Sequence, residues 1–197
     1  MTSRQCFDIA ARRCAQALAL SGILLATRPA AAQPPGVAAS PPRPAAVEQG
    51  IAVYFSPQGG CAAAITEQIE RARRTIDVQA FSLTSSLFGR PLIAARNRGV
   101  RVRVIFDKRQ AEEEYSWDER LSEAGVEVYY DAPEDGSNHN KVMLLDGHRI
   151  VTGSFNFSRS AEEKNVENLL MIADKPRIFA AYQRNFDQRL RLSKRKR

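Results

Sequence analysis

Residues 139–168, HNKVMLLDGHRIVTGSFNFSRSAEEKNVEN, carry polar residues at a fixed spacing in their first half. A histidine and a lysine stand two residues apart, an aspartate follows after four residues, and a Gly-Ser-x-Asn segment follows after six more. Histidine can attack phosphorus or transfer protons near neutral pH. Lysine, hydroxyl and amide groups can donate to phosphate oxygens as charge develops on them. The stretch therefore contains the groups that phosphodiester chemistry needs. These positions are His139, Lys141, Asp146, Gly153, Ser154 and Asn156.

The same stretch predicts a hairpin that brings these groups together. Residues 141–145 form a short apolar run, and Asp146-Gly147 is a strong two-residue hairpin signal. Residues 148–152 then return beside the first strand, which brings the Gly-Ser-x-Asn segment back towards the histidine. The histidine and the lysine point to the same side because alternate residues of a strand share a face. We expect Asp146 and Gly153 to serve the structure of the motif rather than its chemistry.

A further strand is predicted at NVENLLMI, residues 165–172, where Asn165 and Glu167 share one face. The carboxylate of Glu167 can hold one imidazole nitrogen of His139 and fix its tautomer, as carboxylates do in other histidine sites. The alternative is that Glu167 is an ordinary solvated strand residue. We favour the orienting role.

The pattern HxK(x)4D(x)6GSxN resembles the signature motif of the phospholipase D superfamily. The segments FSPQGG, TIDVQAFSLTS, RGVRVRVIFD and TGSFNFSRSAEEKNVEN are similar to the small bacterial endonuclease branch of that superfamily, which has one motif copy per chain. This sequence also contains the motif once, and the resemblance covers residues 51–192. It implies a phospholipase D/nuclease-like fold.

The resemblance also implies a two-fold homodimer. Hydrolysis by this chemistry uses two histidines, one to attack phosphorus and one to protonate the leaving oxygen and then activate water. Single-copy members of the family supply both by joining two chains about a two-fold axis. We therefore expect a composite site in which His139, Lys141 and Glu167 of each chain are catalytic. Lys141, Ser154 and Asn156 would bind the phosphate. We expect no metal and no cofactor, because no acidic cluster lies near the motif.

The rest of the chain predicts one α/β domain. Alternating apolar residues or short apolar runs predict strands at 51–55, 75–83, 100–107 and 126–130. Helical periodicity or helix-end signals predict helices at 61–73, 86–98, 115–124 and 175–192. Strands that alternate with helices and end in a hairpin indicate a mixed β-sheet flanked by helices.

The N-terminal region predicts export. Residues 1–32 contain arginines, then an apolar run too short to span a membrane, then Ala30-Ala31-Ala32, and they read as a signal peptide. Residues 33–50 are rich in Pro and Ala and predict a disordered linker. Residues 51–192 form the predicted catalytic domain, and 193–197 a basic tail. We expect a periplasmic or secreted protein; the alternative is a membrane anchor formed by an uncleaved N-terminal segment.

Composition leaves the substrate open. The chain of 197 residues has a formal charge of +7, and removal of residues 1–32 leaves 25 basic and 21 acidic residues, or +4. This mild excess is compatible with a polyanionic partner. The first hypothesis is a metal-independent, nonspecific endonuclease that cleaves DNA, or RNA, through a phosphohistidine intermediate. The second is a phospholipase D acting on phosphatidyl headgroups, and the third is a non-catalytic nucleic-acid-binding module.

Overall fold

The computed structural model describes residues 43–196, and nine strands within them form one sheet. The strands are β1 (Ala46–Glu48), β2 (Ile51–Ser56), β3 (Thr75–Ala80), β4 (Arg101–Asp107), β5 (Glu127–Asp131), β6 (Lys141–Leu145), β7 (Arg149–Gly153), β8 (Glu167–Ala173) and β9 (Lys194–Arg195). Their order across the sheet is β1-β2-β8-β7-β6-β3-β4-β5-β9. β3, β4 and β5 run parallel to one another, whereas every other neighbouring pair is antiparallel.

Helices cover both faces of this sheet. They are α1 (Cys61–Arg71), α2 (Ser86–Asn97), α3 (Lys108–Ala111), α4 (Asp118–Glu123), α5 (Arg159–Glu163) and α6 (Pro176–Leu192). The larger core lies under α1 and α2, and a smaller core lies under α6, where Phe186 is fully buried. The predicted mixed sheet flanked by helices is therefore confirmed. None of the helices within residues 43–196 is long and apolar enough to span a membrane.

The sequence pattern of β4 explains why the sheet is buried on both faces. Val102 and Val104 point into the larger core, Arg101 is exposed, and Ile105 joins the smaller core under α6. Alternation of valine with arginine thus gives way to a continuous apolar run as the strand enters the middle of the sheet, as expected where helices cover both faces. The preceding helix ends before Gly99, whose φ of +89° suits a glycine.

Apart from Asp146, the residues of the motif lie at one end of the strands. Lys141, the first residue of β6, lies opposite Ala80, the last residue of β3. Glu167, the first residue of β8, lies opposite Ser56, the last residue of β2. We call this end of the sheet the motif end. The other end, where β3, β4 and β5 begin, is the opposite end.

Two segments that the sequence predicted to lack structure belong to the sheet. Ala46–Glu48, in the predicted linker, pair with β2, and Lys194–Arg195, in the predicted basic tail, pair with β5. Both strands are too short for an alternating pattern to reveal them. The predicted signal peptide, 1–32, and the linker up to residue 42 lie outside the described residues.

Several predicted boundaries also shift by a few residues. The strand predicted at 75–83 ends at Ala80, where the chain leaves the sheet. The strand predicted from residue 165 begins at Glu167, and the helix predicted at 115–124 spans only Asp118–Glu123. The hairpin turn has a positive φ at Asp146 and Gly147, as predicted for this pair, but His148 extends the loop by one residue.

The C-terminal segment is fastened to the sheet by a buried ion pair. Lys196 Nζ donates to Asp118 Oδ2 at 2.6 Å, and the Tyr130 hydroxyl donates to the same oxygen at 2.5 Å. Burial alone would raise the pKa of the Asp118 carboxyl, but these hydrogen bonds outweigh burial and lower it. The Lys196 backbone N–H also donates to the carbonyl oxygen of Val128 at 2.9 Å.

We expect Lys196→Met to lower the free energy of unfolding by about 1–3 kcal/mol, because it leaves the largely buried Asp118 carboxylate without its cation. The matched control is Lys194→Met, which removes the same charge from an exposed side chain two residues earlier in the same segment and should change stability by less than about 0.5 kcal/mol. Urea unfolding of both variants measures the difference. Equal effects would mean that the tail contributes only net charge.

Candidate active site

His139 and Lys141 lie together at the motif end, as the spacing predicted. His139 is exposed and immediately precedes β6, whereas Lys141 is buried, with 6% of its surface exposed. Lys141 Nζ lies 2.9 Å from Nδ1 of His139 and donates to the His139 carbonyl oxygen at 2.7 Å. The His139 imidazole is thus accessible to solvent, whereas the ammonium group of Lys141 is buried and hydrogen-bonded to the His139 backbone.

Lys141 is a buried cation without a counter-ion in the part of the chain that the structure describes. Among residues 43–196, no carboxylate oxygen lies within 4.0 Å of its ammonium group, so it forms no salt bridge. Burial lowers the pKa of the Lys141 ammonium to about 8, and the charge of Glu167 only partly opposes this shift. An anion bound next to Lys141 would replace the lost hydration and restore the charged form.

Phe81 forms the apolar wall of the site, and the sequence analysis did not single it out. Its ring packs against the His139 ring with 4.2 Å between the centroids, and Lys141 Nζ lies 4.7 Å from its centroid. The ring therefore orients the imidazole and gives the ammonium a cation–π contact. Phe81 follows β3 directly, and the pairing of β3 with β6 could have identified it had the register been known.

Ser154 and Glu167 are joined by a hydrogen bond, and both make further hydrogen bonds to neighbouring residues. Ser154 Oγ donates to Glu167 Oε2 at 2.5 Å, and Asn165 Nδ2 donates to Oε1 at 3.1 Å. Asn168 donates to Ser154 Oγ through its backbone N–H at 3.1 Å. Among residues 43–196 the Glu167 carboxylate is therefore hydrogen-bonded to the segments that precede β8 and follow β7, and it makes no hydrogen bond with His139. The orienting role of Glu167 towards His139 stays a prediction.

Asn156 and Gly153 occupy the segment that returns to the motif end. Oδ1 of Asn156 is buried and has no hydrogen-bond partner among the described residues. Such an acceptor is costly to leave unpaired unless another group binds there. Gly153 has a φ of +150°, and a Cβ at this position would lie 2.3 Å from the carbonyl oxygen of Asn168. Only glycine allows β7 and β8 to approach this closely.

Asp146 lies at the other end of β6 and makes structural contacts. Its carboxylate accepts hydrogen bonds from the backbone N–H groups of Arg73, Arg74 and Thr75 and from the side chain of Arg149. Burial alone would raise the pKa of this carboxyl, but the four donors outweigh burial and lower it. The contacts join the hairpin turn to the connection between α1 and β3.

A polar network lies behind the motif strand, on the face that α6 covers. Asn140, between the histidine and the lysine, donates to Gln79 Oε1 at 3.0 Å. Gln79 in turn donates to Asn185 Oδ1 of α6 at 3.1 Å. This chain of hydrogen bonds connects α6 to the strand that carries the site. Within residues 43–196, no group of three or more His, Cys, Asp or Glu side chains is arranged to hold a metal ion.

Comparison with known proteins agrees with this arrangement. A family model described as "Cardiolipin synthase, PLD-like domain" matches residues 65–190. A protein of Rickettsia prowazekii named phospholipase D is 36% identical over 139 residues, which are 71% of this chain and 67% of that protein.

Two solved structures share the fold. Nuc from Salmonella typhimurium, a phospholipase D family member, matches with a TM-score of 0.72 and 28% identity over 75% of this chain and 97% of that chain. NucT from Helicobacter pylori matches in fold with a TM-score of 0.68 and 21% identity over 73% of this chain and 96% of that chain. With its HxK(x)4D(x)6GSxN pattern present once, this chain belongs to the phospholipase D superfamily, in its small single-motif branch.

Proposed function

We propose that this protein is a metal-independent phosphodiesterase that cleaves nucleic acid, DNA foremost, through a phosphohistidine intermediate. The observation that carries the proposal is the buried, unpaired ammonium of Lys141 beside the exposed imidazole of His139. A cation in this state is poised to receive an anion. A phosphodiester is an anion that an adjacent histidine can also attack.

The reaction has two steps at phosphorus. In the first, an imidazole nitrogen of His139 forms a bond to phosphorus while the bond to the leaving oxygen breaks, and a general acid gives that oxygen a proton. In the second, water attacks phosphorus and breaks the P–N bond, and the group that gave up its proton takes one from the water. The products are an alcohol and a phosphomonoester, and the enzyme returns to its starting state.

The residues around the histidine stabilise the charge that develops on the phosphate oxygens. Lys141 supplies a positive charge in a poorly hydrated position, where it acts more strongly than it would in water. Ser154 and Asn156 supply hydrogen-bonding groups on the neighbouring segment. In the free chain the single hydroxyl proton of Ser154 is donated to Glu167, so Ser154 donates to a phosphate oxygen only when that hydrogen bond is exchanged on substrate binding.

The mechanism needs a second histidine at the site, and a single chain does not supply one there. The sequence contains two histidines, and the other, His148, lies beside the hairpin turn at the opposite end of β6. We therefore propose that a second copy of the chain supplies the general acid in a two-fold dimer. Phe55 and Val166, which are 53% and 88% exposed, lie beside the motif residues of β8 and support an interface there.

The proposed substrate class rests on the charge of the chain and on its similarity to known proteins. The positive formal charge of the chain and its similarity to Nuc favour nucleic acid. The name phospholipase D, which the Rickettsia relative bears, favours a second candidate, hydrolysis of phosphatidyl headgroups. We further propose that residues 1–32 export the protein to the periplasm or the medium, where either substrate class is found.

We expect His139→Ala to lower nucleic-acid cleavage by at least about a thousandfold, because it removes the nucleophile. The assay offers single-stranded DNA, duplex DNA, RNA and phosphatidylcholine vesicles in parallel, in EDTA. The matched control is His148→Ala, which should retain activity. Loss of wild-type activity in EDTA without unfolding would contradict the metal-independent mechanism, and headgroup release with intact nucleic acid would establish the lipid candidate.

We expect Lys141→Met to abolish cleavage and to raise the free energy of unfolding at pH 7 by about 1–2 kcal/mol, because it removes a buried, unpaired charge. Since the pKa of Lys141 is lowered to about 8 in the folded state, its protonated form destabilises the fold below that pH. The stability gap between variant and wild type should therefore narrow as pH rises from 8 towards 10.5. Unfolding by urea at several pH values tests this. A variant that is less stable at every pH would make Lys141 a structural residue.

We expect Val166→Glu to shift the protein from dimer to monomer and to reduce turnover, because the charge lies at the proposed interface. The folded monomer should keep its stability to within about 0.5 kcal/mol, since this side chain is exposed. Light scattering and activity assays over a range of protein concentrations measure both effects. The control is Leu192→Glu, a similar change at another exposed apolar residue. Full activity of a monomeric Val166→Glu protein would exclude the composite site.

A further inference from the structure

The opposite end of the sheet carries a group of exposed arginines that the proposed chemistry does not use. They lie at or just after the C-terminal ends of α1 and α2, at the start of β4 and in the C-terminal strand β9. We call this group the arginine cluster. Its members are Arg71, Arg73, Arg74, Arg96, Arg98, Arg101 and Arg195.

Carboxylate groups neutralise little of the positive charge of the arginine cluster. Within residues 43–196, only Arg71 of the seven forms a salt bridge, with Glu67 at 3.3 Å. Four of the others donate instead to backbone carbonyl oxygens; for example, Arg98 donates to Ile69 O at 3.0 Å. These four are Arg73, Arg74, Arg96 and Arg98. A carbonyl oxygen holds a guanidinium group in place without neutralising it, so the remaining N–H groups can bind an anion.

A pocket of about 390 Å³ opens within the cluster, between the starts of β4 and β5. Arg96, Arg101 and Arg195 line it together with one acidic residue, Glu127. The Glu127 carboxylate accepts a hydrogen bond from the Tyr129 hydroxyl at 3.0 Å. Three guanidinium groups therefore face one carboxylate, and the pocket keeps an excess of positive charge that suits a phosphate group.

Part of the rim at the motif end, formed by the loops after β4 and β5, has the opposite charge, whereas the segment after β7 carries exposed Arg159 and Lys164. The loops that follow β4 and β5 at that end carry exposed acidic side chains, accompanied by Lys108 and Arg109. The acidic residues are Glu112, Glu113, Glu114, Glu134 and Asp135. A long polyanion is therefore attracted more strongly to the arginine cluster than to the acidic part of the rim.

We propose that the arginine cluster is a second nucleic-acid-binding surface, which holds the phosphate backbone of a long substrate away from the motif end. Arginine, which supplies all seven charges, binds phosphate oxygens with two parallel N–H groups. No large exposed apolar side chain lines the pocket, whereas surfaces that bind membranes combine basic and apolar residues. The surface requires only that the protein bind nucleic acid, and it does not depend on the cleavage mechanism.

The length of the strands sets the shortest duplex that can contact both the arginine cluster and the motif end. β4 has seven residues and spans the sheet from the opposite end to the motif end. At about 3.3 Å per residue the two ends are about 20 Å apart, or about six base pairs of duplex at 3.4 Å each. A duplex of six base pairs or fewer cannot reach both, and one of about 30 base pairs can.

The experiment compares two double variants of the full-length chain. Arg101→Gln with Arg195→Gln removes two charges from the pocket, and neither side chain makes a hydrogen bond among the described residues. Arg177→Gln with Arg184→Gln removes two exposed charges from α6 and serves as the matched control. Each pair is placed on the His139→Ala background. Binding of a 30-base-pair duplex is then measured by fluorescence anisotropy from 50 to 300 mM salt.

We expect the pocket variant to bind about tenfold more weakly at low salt, and its slope of log Kd against log salt to fall by about two. On the active background, its kcat/KM for bis(p-nitrophenyl) phosphate should equal that of wild type, while kcat/KM for the long duplex falls. Its melting temperature should not change. The control pair should alter the duplex affinity less than twofold.

Three outcomes would overturn the proposal. The first is an equal loss of duplex affinity in the two double variants. The second is an unchanged slope of log Kd against log salt in the pocket variant. The third is binding of phosphatidylglycerol vesicles without binding of the duplex. Each differs from a failure of the proposed cleavage mechanism, which would show as activity that survives His139→Ala while duplex binding and its salt slope stay as described.

Discussion

The arrangement of the motif depends on the carboxylate of Asp146. It accepts hydrogen bonds from Arg74 at 2.8 Å and from Arg149 at 2.8 Å, and further bonds from the backbone on either side of Arg74. This contact ties the β6–β7 turn to the start of β3 and so fixes how β6 pairs with β3. Because a slip of one residue would turn every side chain of β6 to the other face, the same contact decides that Lys141 faces the site. Asp146, whose contacts are structural, thereby positions Lys141, the proposed cation of the site.

The free-energy cost of the site to the stability of the fold is concentrated in Lys141. A lysine that has lost most of its hydration and has no carboxylate partner destabilises the fold, as its lowered pKa records. The ring of Phe81 offsets part of this through its contact with the ammonium group, and the carbonyl oxygen of His139 offsets another part. What remains is a cation for which the phosphate of the substrate is the proposed partner. Local instability of this kind is typical of residues kept for function rather than for folding.

Much of this could be predicted from the sequence, because the motif and the hairpin are local. The spacing from His139 to Asn156 identified the family, and the turn at Asp146-Gly147 predicted the hairpin. Helical periodicity predicted the helices that cover the sheet. Contacts between strands distant in sequence could not be predicted, since they depend on register. Phe81 lies 58 residues before His139 and meets it only because β3 pairs with β6. The hydrogen bonds of Glu167 have the same origin: its place on β8 was predicted, whereas its contacts with Ser154 and Asn165 were not.

If both proposals hold, one end of the sheet attracts the substrate and the other end carries out the chemistry. Under the proposed two-fold arrangement the motif ends face each other, and the two arginine clusters lie on the outside of the dimer, each about 20 Å from the shared site. Phosphate groups are then captured where binding is strong and sensitive to salt, while the acidic part of the rim keeps the affinity low where products must leave. Tight binding close to the reacting phosphate would slow product release without accelerating the chemical step, because interactions equal in substrate and transition state do not raise kcat. Placing the strongest positive charge away from Lys141 avoids that penalty and leaves this lysine as the cation that acts on the transition state.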